Sequence, residues 1–208
     1  MAAIIILGGA RGSGKSSLMM AAATTLRRAG LRPSGIACPG EYRGGRKTGI
    51  LCVDLGLPPG REGGFELASV DPAFPDRQPG RASPAPDMSD SALIRYGKWV
   101  FRRDALAKAD SIAAAALSSV EDGRVTAIVD EIGPLELELG AGFSTSLREL
   151  DGIAGTGGST PGGGSVVVAC RTELGPILAA RWPGASLVDL DSLGTDRAVA
   201  KLLELAGA

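Results

Sequence analysis

The sequence predicts an α/β fold: one three-layer domain over residues 1–208, with a mainly parallel central sheet and an irregular lid insertion. Three observations predict it. Apolar runs of strand length recur at Ala3–Leu7, Val125–Val129 and Ser165–Ala169. Unbroken runs suit strands covered on both faces, as in a parallel sheet, rather than half-exposed strands, which alternate. Helix-forming stretches separate the runs, and strand–helix alternation marks a sheet held between helical layers. Between the first two runs lies Pro58–Ser91, crowded with Pro, Gly, Asp and Arg; so long an irregular stretch is a functional lid or a disordered insertion.

Taken in order, Ala3–Leu7 is the first strand. A glycine loop follows it, then a helix over Lys15–Ala29 that Gly30 ends. Ser34–Ala37 is a second strand, and Glu41–Leu55 a hairpin turning at Gly44-Gly45. Pro58–Ser91 holds one short strand candidate, Phe65–Val70. Tyr96–Phe101 reads as another strand and alanine-rich Asp104–Val120 as a helix. Val125–Val129 ends in Asp130-Glu131, and Phe143–Leu150 reads as a helix. The glycines of Asp151–Ser165 predict a flexible linker without regular structure. After the strand at Ser165–Ala169, helices near Leu174–Arg181 and Asp196–Leu205 flank a last strand near Ser186–Leu190. In an open parallel sheet the ligand sits beyond the carboxyl ends of the strands.

Composition excludes several functions. Net charge is −1, so no global field draws the chain onto nucleic acid or an anionic membrane, and neither is an expected partner. No apolar run reaches the roughly 18–20 residues that span a bilayer. The apolar stretch Ala2–Gly9 lacks a basic start and runs into the glycine loop, so it reads as a strand rather than a secretion signal. Three cysteines, odd in number and without C-x-x-C spacing, fit a reduced cytoplasmic setting. There is no histidine, which excludes imidazole bases and Ser-His-Asp triads. Acid–base chemistry is left to Asp, Glu, Lys, Cys or Tyr.

The segment Gly9-Ala10-Arg11-Gly12-Ser13-Gly14-Lys15-Ser16 matches the phosphate-binding pattern G-x-x-x-x-G-K-[ST], with an apolar strand before it and a helix after it. Glycines let backbone N–H groups converge on a β-phosphate, and the helix N-terminus faces the anion with positive potential. Lys15 is expected to reach the β- and γ-phosphates, and the Ser16 hydroxyl to join a Mg²⁺ shell. Ser17 sits near the phosphates as a helix residue, and Arg11 faces either nucleotide or solvent. The substrate is therefore ATP or another nucleoside triphosphate.

A second acidic element completes the pattern. Thr126-Ala127-Ile128-Val129-Asp130-Glu131 has the form of a Walker B strand. Asp130 at its tip can hold Mg²⁺, and Glu131 is placed to orient and deprotonate an attacking water. A kinase needs no water-activating carboxylate there, so Glu131 favours hydrolysis.

The run Asp130-Glu131-Ile132-Gly133-Pro134-Leu135-Glu136-Leu137 resembles the D-E-I-G-K-M-E-L signature of a small P-loop nucleoside-triphosphatase family of thermophiles that includes a human cancer-related member. Gly44-Gly45-Arg46-Lys47-Thr48-Gly49-Ile50 resembles that family's G-G-R-R-x-G-F segment. The resemblance implies a RecA-like P-loop fold and broad, slow, Mg²⁺-dependent hydrolysis of triphosphates. It gives Lys15, Ser16, Asp130 and Glu131 the phosphate, metal and base roles, and makes Arg46 the foremost arginine to neutralise the γ-phosphate. The departures are Pro134 where the family has lysine, Cys170-Arg171 for a His-Arg pair, and Asp196-Arg197 for an Asn-Arg pair.

Weaker signals have bland readings beside them. Arg43 and Arg171 are further candidates for charge stabilisation, though most arginines are solvated. Tyr96, Trp99 and Phe101 stack on a base or pack in the core. Arg95, Lys98, Arg102 and Arg103 form a basic cluster whose default is a solvated face. Glu136 is a candidate supporting acid behind the site, and Glu138 a surface residue. Two rival functions stand against hydrolysis: a small-molecule kinase on the same fold, and a nucleotide-dependent accessory or switch with little turnover of its own. The sequence names no protein partner.

Overall fold

The computed structural model describes residues 3–58, 60–61, 63–72, 85–155 and 164–207. Its organising element is a 10-stranded sheet. The strands are β1 (Ala3–Gly8), β2 (Arg32–Ala37), β3 (Gly40–Arg43), β4 (Arg46–Asp54), β5 (Gly64–Val70), β6 (Leu93–Tyr96), β7 (Trp99–Arg102), β8 (Val125–Asp130), β9 (Ser165–Cys170) and β10 (Ser186–Asp189). The helices are α1 (Lys15–Arg28), α2 (Arg103–Ser118), α3 (Pro134–Leu137), α4 (Ser144–Gly155), α5 (Gly175–Arg181), α6 (Leu190–Leu193) and α7 (Thr195–Ala206). Spatial order is β10-β1-β9-β8-β2-β4-β5-β7-β6, with β3 paired to β4.

The sheet has two halves. β10, β1, β9, β8 and β2 are mutually parallel. From β2 onward every pairing is antiparallel. The expectation of a mainly parallel sheet holds for the half that carries the glycine loop. The antiparallel half is built from the hairpins of the middle of the chain, which need no crossover helix.

Strand alternation explains the three layers. Along β1, Ile4 and Ile6 point into the cluster under α2, α4 and α5, while Ile5 and Leu7 point into the cluster under α1 and α7. β8 divides the same way, Ala127 and Val129 on one side and Ile128 on the other. A strand buried on both faces must be apolar at every position, which is why these runs read as continuous.

Several expectations need correction. Tyr96–Phe101 is not one strand but parts of β6 and β7, because Gly97 takes φ 61° and turns the chain with Lys98. Such two-residue loops favour positive φ. Tyr96 therefore faces Trp99 across the hairpin, and Tyr96, Trp99 and Phe101 all pack against the α2-side core. The glycine-rich linker begins later than Asp151, since residues 151–155 continue α4. The Asp151 carboxylate accepts from Arg181 and, at 2.9 Å, from Trp182 Nε1, while Ile153 and Ala154 pack on the core, and these contacts outweigh the local glycine content. Its far end, Ser165, opens β9. In the expected lid, the candidate at Phe65–Val70 is an interior strand between β4 and β7 and belongs to the sheet. Residues 59, 62 and 73–84 of that insertion, and 156–163 of the linker, lie outside the described residues. Among the described residues no helix is long and apolar enough to cross a membrane.

Gly35 on β2 shows how closely the sheet constrains sequence. It adopts φ 106°, and a Cβ there would collide with the carbonyl oxygen of Ile128 on β8. Both strain and overlap oppose any side chain. Gly35→Ala is expected to lower stability by about 3 kcal/mol or more, read from urea unfolding midpoints; an unchanged midpoint contradicts this packing.

Candidate active site

Five parallel strands deliver their carboxyl ends to one edge of the sheet. β1 runs into the glycine loop, β8 ends at Asp130, β9 at Cys170, β2 at Ala37 and β10 at Asp189. Register places Gly8 beside Cys170 and Asp130 beside Ala169.

The loop is wound as a cradle. Gly12 and Gly14 take φ 79° and 91°, conformations that L side chains rarely adopt. Lys15 folds back over the loop, its Nζ donating to Gly9 O at 2.6 Å and Ala10 O at 2.9 Å. No side chain caps α1 at its N-terminus and its first turn holds no acid, so its leading N–H groups and positive end face the loop. Ser13 Oγ is buried without a hydrogen-bond partner among the described residues. An orphaned buried donor inside such a loop suits a phosphate oxygen. Asp191, the first-turn acid of α6, anchors the loop by accepting from Ala10 N at 2.8 Å and from Thr172 Oγ1 at 2.8 Å.

Asp130 and Glu131 are neighbours in opposite environments. Asp130 is 1% exposed. Its Oδ2 accepts from Cys38 N at 2.8 Å, and Ser16 Oγ donates to Cys38 O at 3.1 Å. The backbone of one residue thus joins the acid to the serine. Burial pushes the Asp130 pKa up, against the lowering effects of the Cys38 N–H, the Ser16 hydroxyl and Lys15. The neighbouring oxygens of Ser16 and buried Asp130 are of the kind that suits a hard divalent cation, which takes oxygen donors and completes its shell with phosphate and water. Glu131 side-chain exposure is 40%, and its Oε1 lies 3.7 Å from Arg171 Nε.

Cysteine chemistry does not enter. The hydrogen bond to Cys52, burial and the Asp130 charge raise the Cys38 thiol well above its ordinary value, and burial raises Cys170 to about 11. Both stay protonated and inert as nucleophiles.

A family model described as NTPase matches residues 4–150. The chain belongs to this NTPase family. A nucleoside-triphosphatase THEP1 from Ignicoccus hospitalis is 31% identical over 146 residues, 69% of this chain and 67% of the relative. Among solved structures, THEP1 from Aquifex aeolicus superposes with TM-score 0.64 at 22% identity over 99% of both chains. A human cancer-related nucleoside triphosphatase superposes with TM-score 0.59 at 19% identity, over 98% of this chain and 96% of that one. At those identities the two structures speak for the P-loop fold.

Against this NTPase frame, Lys15, Ser16, Asp130 and Glu131 come together at one edge, with Gly9–Gly14 around them. Arg11 and Ser17 are exposed at the loop and on the first turn of α1. Arg46 opens β4 at the turn of the β3–β4 hairpin, opposite Arg43. Arg43 pairs with Glu41 at 3.2 Å. Arg95, Arg102 and Arg103 are held by Asp71, Asp104 and the carbonyls of Met88 and Asp90, so the basic cluster is partnered within the chain. Asp196 is exposed in the first turn of α7.

Sequence reasoning missed the main chain of Cys38 and the side chain of Asp191. No local signal marks Cys38. Asp191 lies 181 positions from Ala10, though the Asp189-Leu190-Asp191-Ser192 capping pattern at a strand end was a readable clue.

Glu136 is tied more firmly than expected. Its Oε2 accepts from Gly133 N at 2.8 Å and its Oε1 from Phe143 N at 3.0 Å, strapping the segment that leaves Glu131. Burial raises its pKa from 4.5 to about 7, partly opposed by those two donors. The folded state therefore holds this proton more tightly than the unfolded chain. Its stabilising contribution is full below the ordinary value and is lost as pH rises through about 7. On the order of 3 kcal/mol is expected to disappear between pH 4.5 and 8. Glu136→Gln, with one oxygen for two N–H groups, is expected to be less stable, by a margin that narrows as pH rises. Urea unfolding of both proteins across that range checks this, and a constant margin would contradict it.

Proposed function

We propose that the chain is a Mg²⁺-dependent nucleoside-triphosphatase that hydrolyses the γ-phosphate of ATP and other triphosphates. One observation carries the reading. The acid pair at the tip of β8 is split, with Asp130 buried and tied to Ser16, and Glu131 open to solvent beside the cradle. A cation ligand needs the first environment and a base for water needs the second. The name of the 31%-identical relative agrees with this activity.

In this mechanism the backbone of Gly9–Gly14 and the Lys15 ammonium hold the β- and γ-phosphates. Ser16 and Asp130 hold Mg²⁺, which when bound neutralises developing charge on the phosphate oxygens. Glu131 orients a water and takes its proton as the water oxygen attacks γ-phosphorus. The β–γ bridging oxygen leaves with the bond's electron pair, giving nucleoside diphosphate and phosphate. Positioning and fixed charge supply most of the acceleration. Arg46, at the turn of the β3–β4 hairpin, is the arginine that the family resemblance assigns to γ-phosphate charge.

Broad base tolerance belongs to the proposal through the family resemblance. A single domain goes with it, since one sheet runs through both halves of the chain. A cytoplasmic setting is supported by three cysteines that form no disulfide.

Lys15→Ala is expected to abolish tight triphosphate binding in titration calorimetry, and near-normal affinity would remove Lys15 from the cradle. Glu131→Gln is expected to bind normally and turn over at least about tenfold more slowly, as loss of a general base requires. Phosphate release from ATP, GTP, CTP and UTP with Mg²⁺ measures this and the base tolerance together. Equal rates for the two proteins would dismiss the water-activating role. Phosphoryl transfer only on addition of an acceptor would make the protein a kinase.

A further inference from the structure

We propose that Arg171 is the γ-phosphate sensor of this site: its guanidinium pairs with Glu131 before a triphosphate binds and exchanges that carboxylate for the γ-phosphate afterwards. The proposal rests on the triphosphatase reading above and adds to it the residue that separates triphosphate from diphosphate.

The placement follows from strand register. β9 lies between β1 and β8, with Cys170 beside Gly8 and Ala169 beside Asp130. Arg171 is the first residue past β9, so it emerges between the start of the glycine loop and Glu131. Its backbone is held there, since its carbonyl accepts from Leu174 N at 2.9 Å, and the neighbouring Thr172 hydroxyl bonds to the Asp191 that anchors Ala10. The side chain is only 19% exposed.

Its pairing is incomplete. Nε lies 3.7 Å from Glu131 Oε1, an ion pair beyond hydrogen-bond distance, and is buried without a hydrogen-bond partner among the described residues. A guanidinium cannot shed its proton, so a buried unmet donor of this kind calls for an acceptor. The tetrahedral oxygens of a phosphoryl group match its planar fork and carry more charge than one carboxylate. Ser13 Oγ, the other orphaned buried atom, lies in the loop that follows β1. Two unmet donors on neighbouring connections are consistent with one phosphorylated ligand between them.

The terminal phosphate is the one Arg171 meets. Lys15 and the helix N-terminus belong to the loop side, where the β-phosphate is cradled. Arg171 lies on the Glu131 side, where the attacking water approaches the γ-phosphorus. A diphosphate leaves the Arg171–Glu131 pair as it is. A triphosphate competes for the guanidinium and frees Glu131 for water. Arg171 supplies a γ-phosphate cation from within the strand-end cluster, which neither Arg43 nor Arg46 on the projecting hairpin does.

The test is titration calorimetry on the full chain with Mg²⁺, using a non-hydrolysable ATP analogue and ADP, for wild type, Arg171→Met and Arg171→Lys, with melting curves alongside. Arg171→Met is expected to weaken the analogue about tenfold or more while ADP changes by less than about twofold, as loss of a charge-assisted contact to one phosphate implies. Arg171→Lys, which keeps the charge without the fork, is expected to fall between. If Arg171→Met does not fold, Arg171→Lys carries the test, and a selective loss of at least about threefold for the analogue is required. Equal losses for both nucleotides, or an unchanged analogue affinity, would overturn the sensor while leaving the triphosphatase reading intact. A wild type that binds neither nucleotide overturns both.

Discussion

The active edge depends on a buried carboxylate having partners. Asp130 sits at the end of a strand covered on both faces, where an ionised acid without donors is costly. The Cys38 N–H meets that need, and the Cys38 carbonyl holds the Ser16 hydroxyl. Three segments distant in sequence are thereby locked into one geometry: the end of β8, the exit of β2 and the first turn of α1. The order is rigid because the link is main chain. No rotamer change at Cys38 can undo it, and the thiol itself is neutral and uninvolved in acid–base chemistry.

Parallel pairing then accounts for the rest of the site. A parallel sheet sends every carboxyl end to the same edge, so β1, β8 and β9 contribute loop, acid pair and arginine without any element bending to reach. β10 extends the set by one strand, and its capping segment supplies Asp191 to the loop. The antiparallel half does different work. β4 pairs with β2 at Ile36 and Ala37 and stays beside its exit, where Leu51 N donates to Pro39 O at 2.9 Å, before the hairpin continues with β3. That continuation carries Arg43 and Arg46, which face each other at the hairpin's end.

The legibility of the sequence follows the range of the interactions. The glycine loop, the strand before it and the helix after it are local, and Gly9–Ser16 declares all three at once. Asp130-Glu131 is legible because a strand buried on both faces leaves its polar residues only at its tip. The hairpin at Gly44-Gly45 was readable from its turn, and Gly97 carried the same signal within a segment whose aromatics suggested a continuous strand. The end of α4 was hidden because Asp151 is fixed by Arg181 and Trp182, partners 30 and 31 residues away. Arg46 stands out on motif likeness, while its place at the hairpin's end opposite Arg43 comes from strand register, which a single sequence does not display. Arg171 stands in the sequence as one of three candidate arginines and as a departure from a His-Arg pair, and its position between β1 and β8 emerges only when the strand order is known.

The two acids also show how a fold assigns different chemistry to like side chains. Asp130 points into the sheet edge, where burial and the Cys38 amide fix it. Glu131 stands one residue later, where the strand has ended and the backbone turns under Ile132, whose amide donates to Ala169 O at 2.9 Å. The strap from Glu136 to Gly133 and Phe143 then keeps the following segment from relaxing. In the proposed role a base must stay mobile enough to meet water yet keep its aim, which needs fixed anchors on both sides. Ile132 and Glu136 supply the anchor downstream and Asp130 the one upstream, so the freedom left to Glu131 is that of its own side chain.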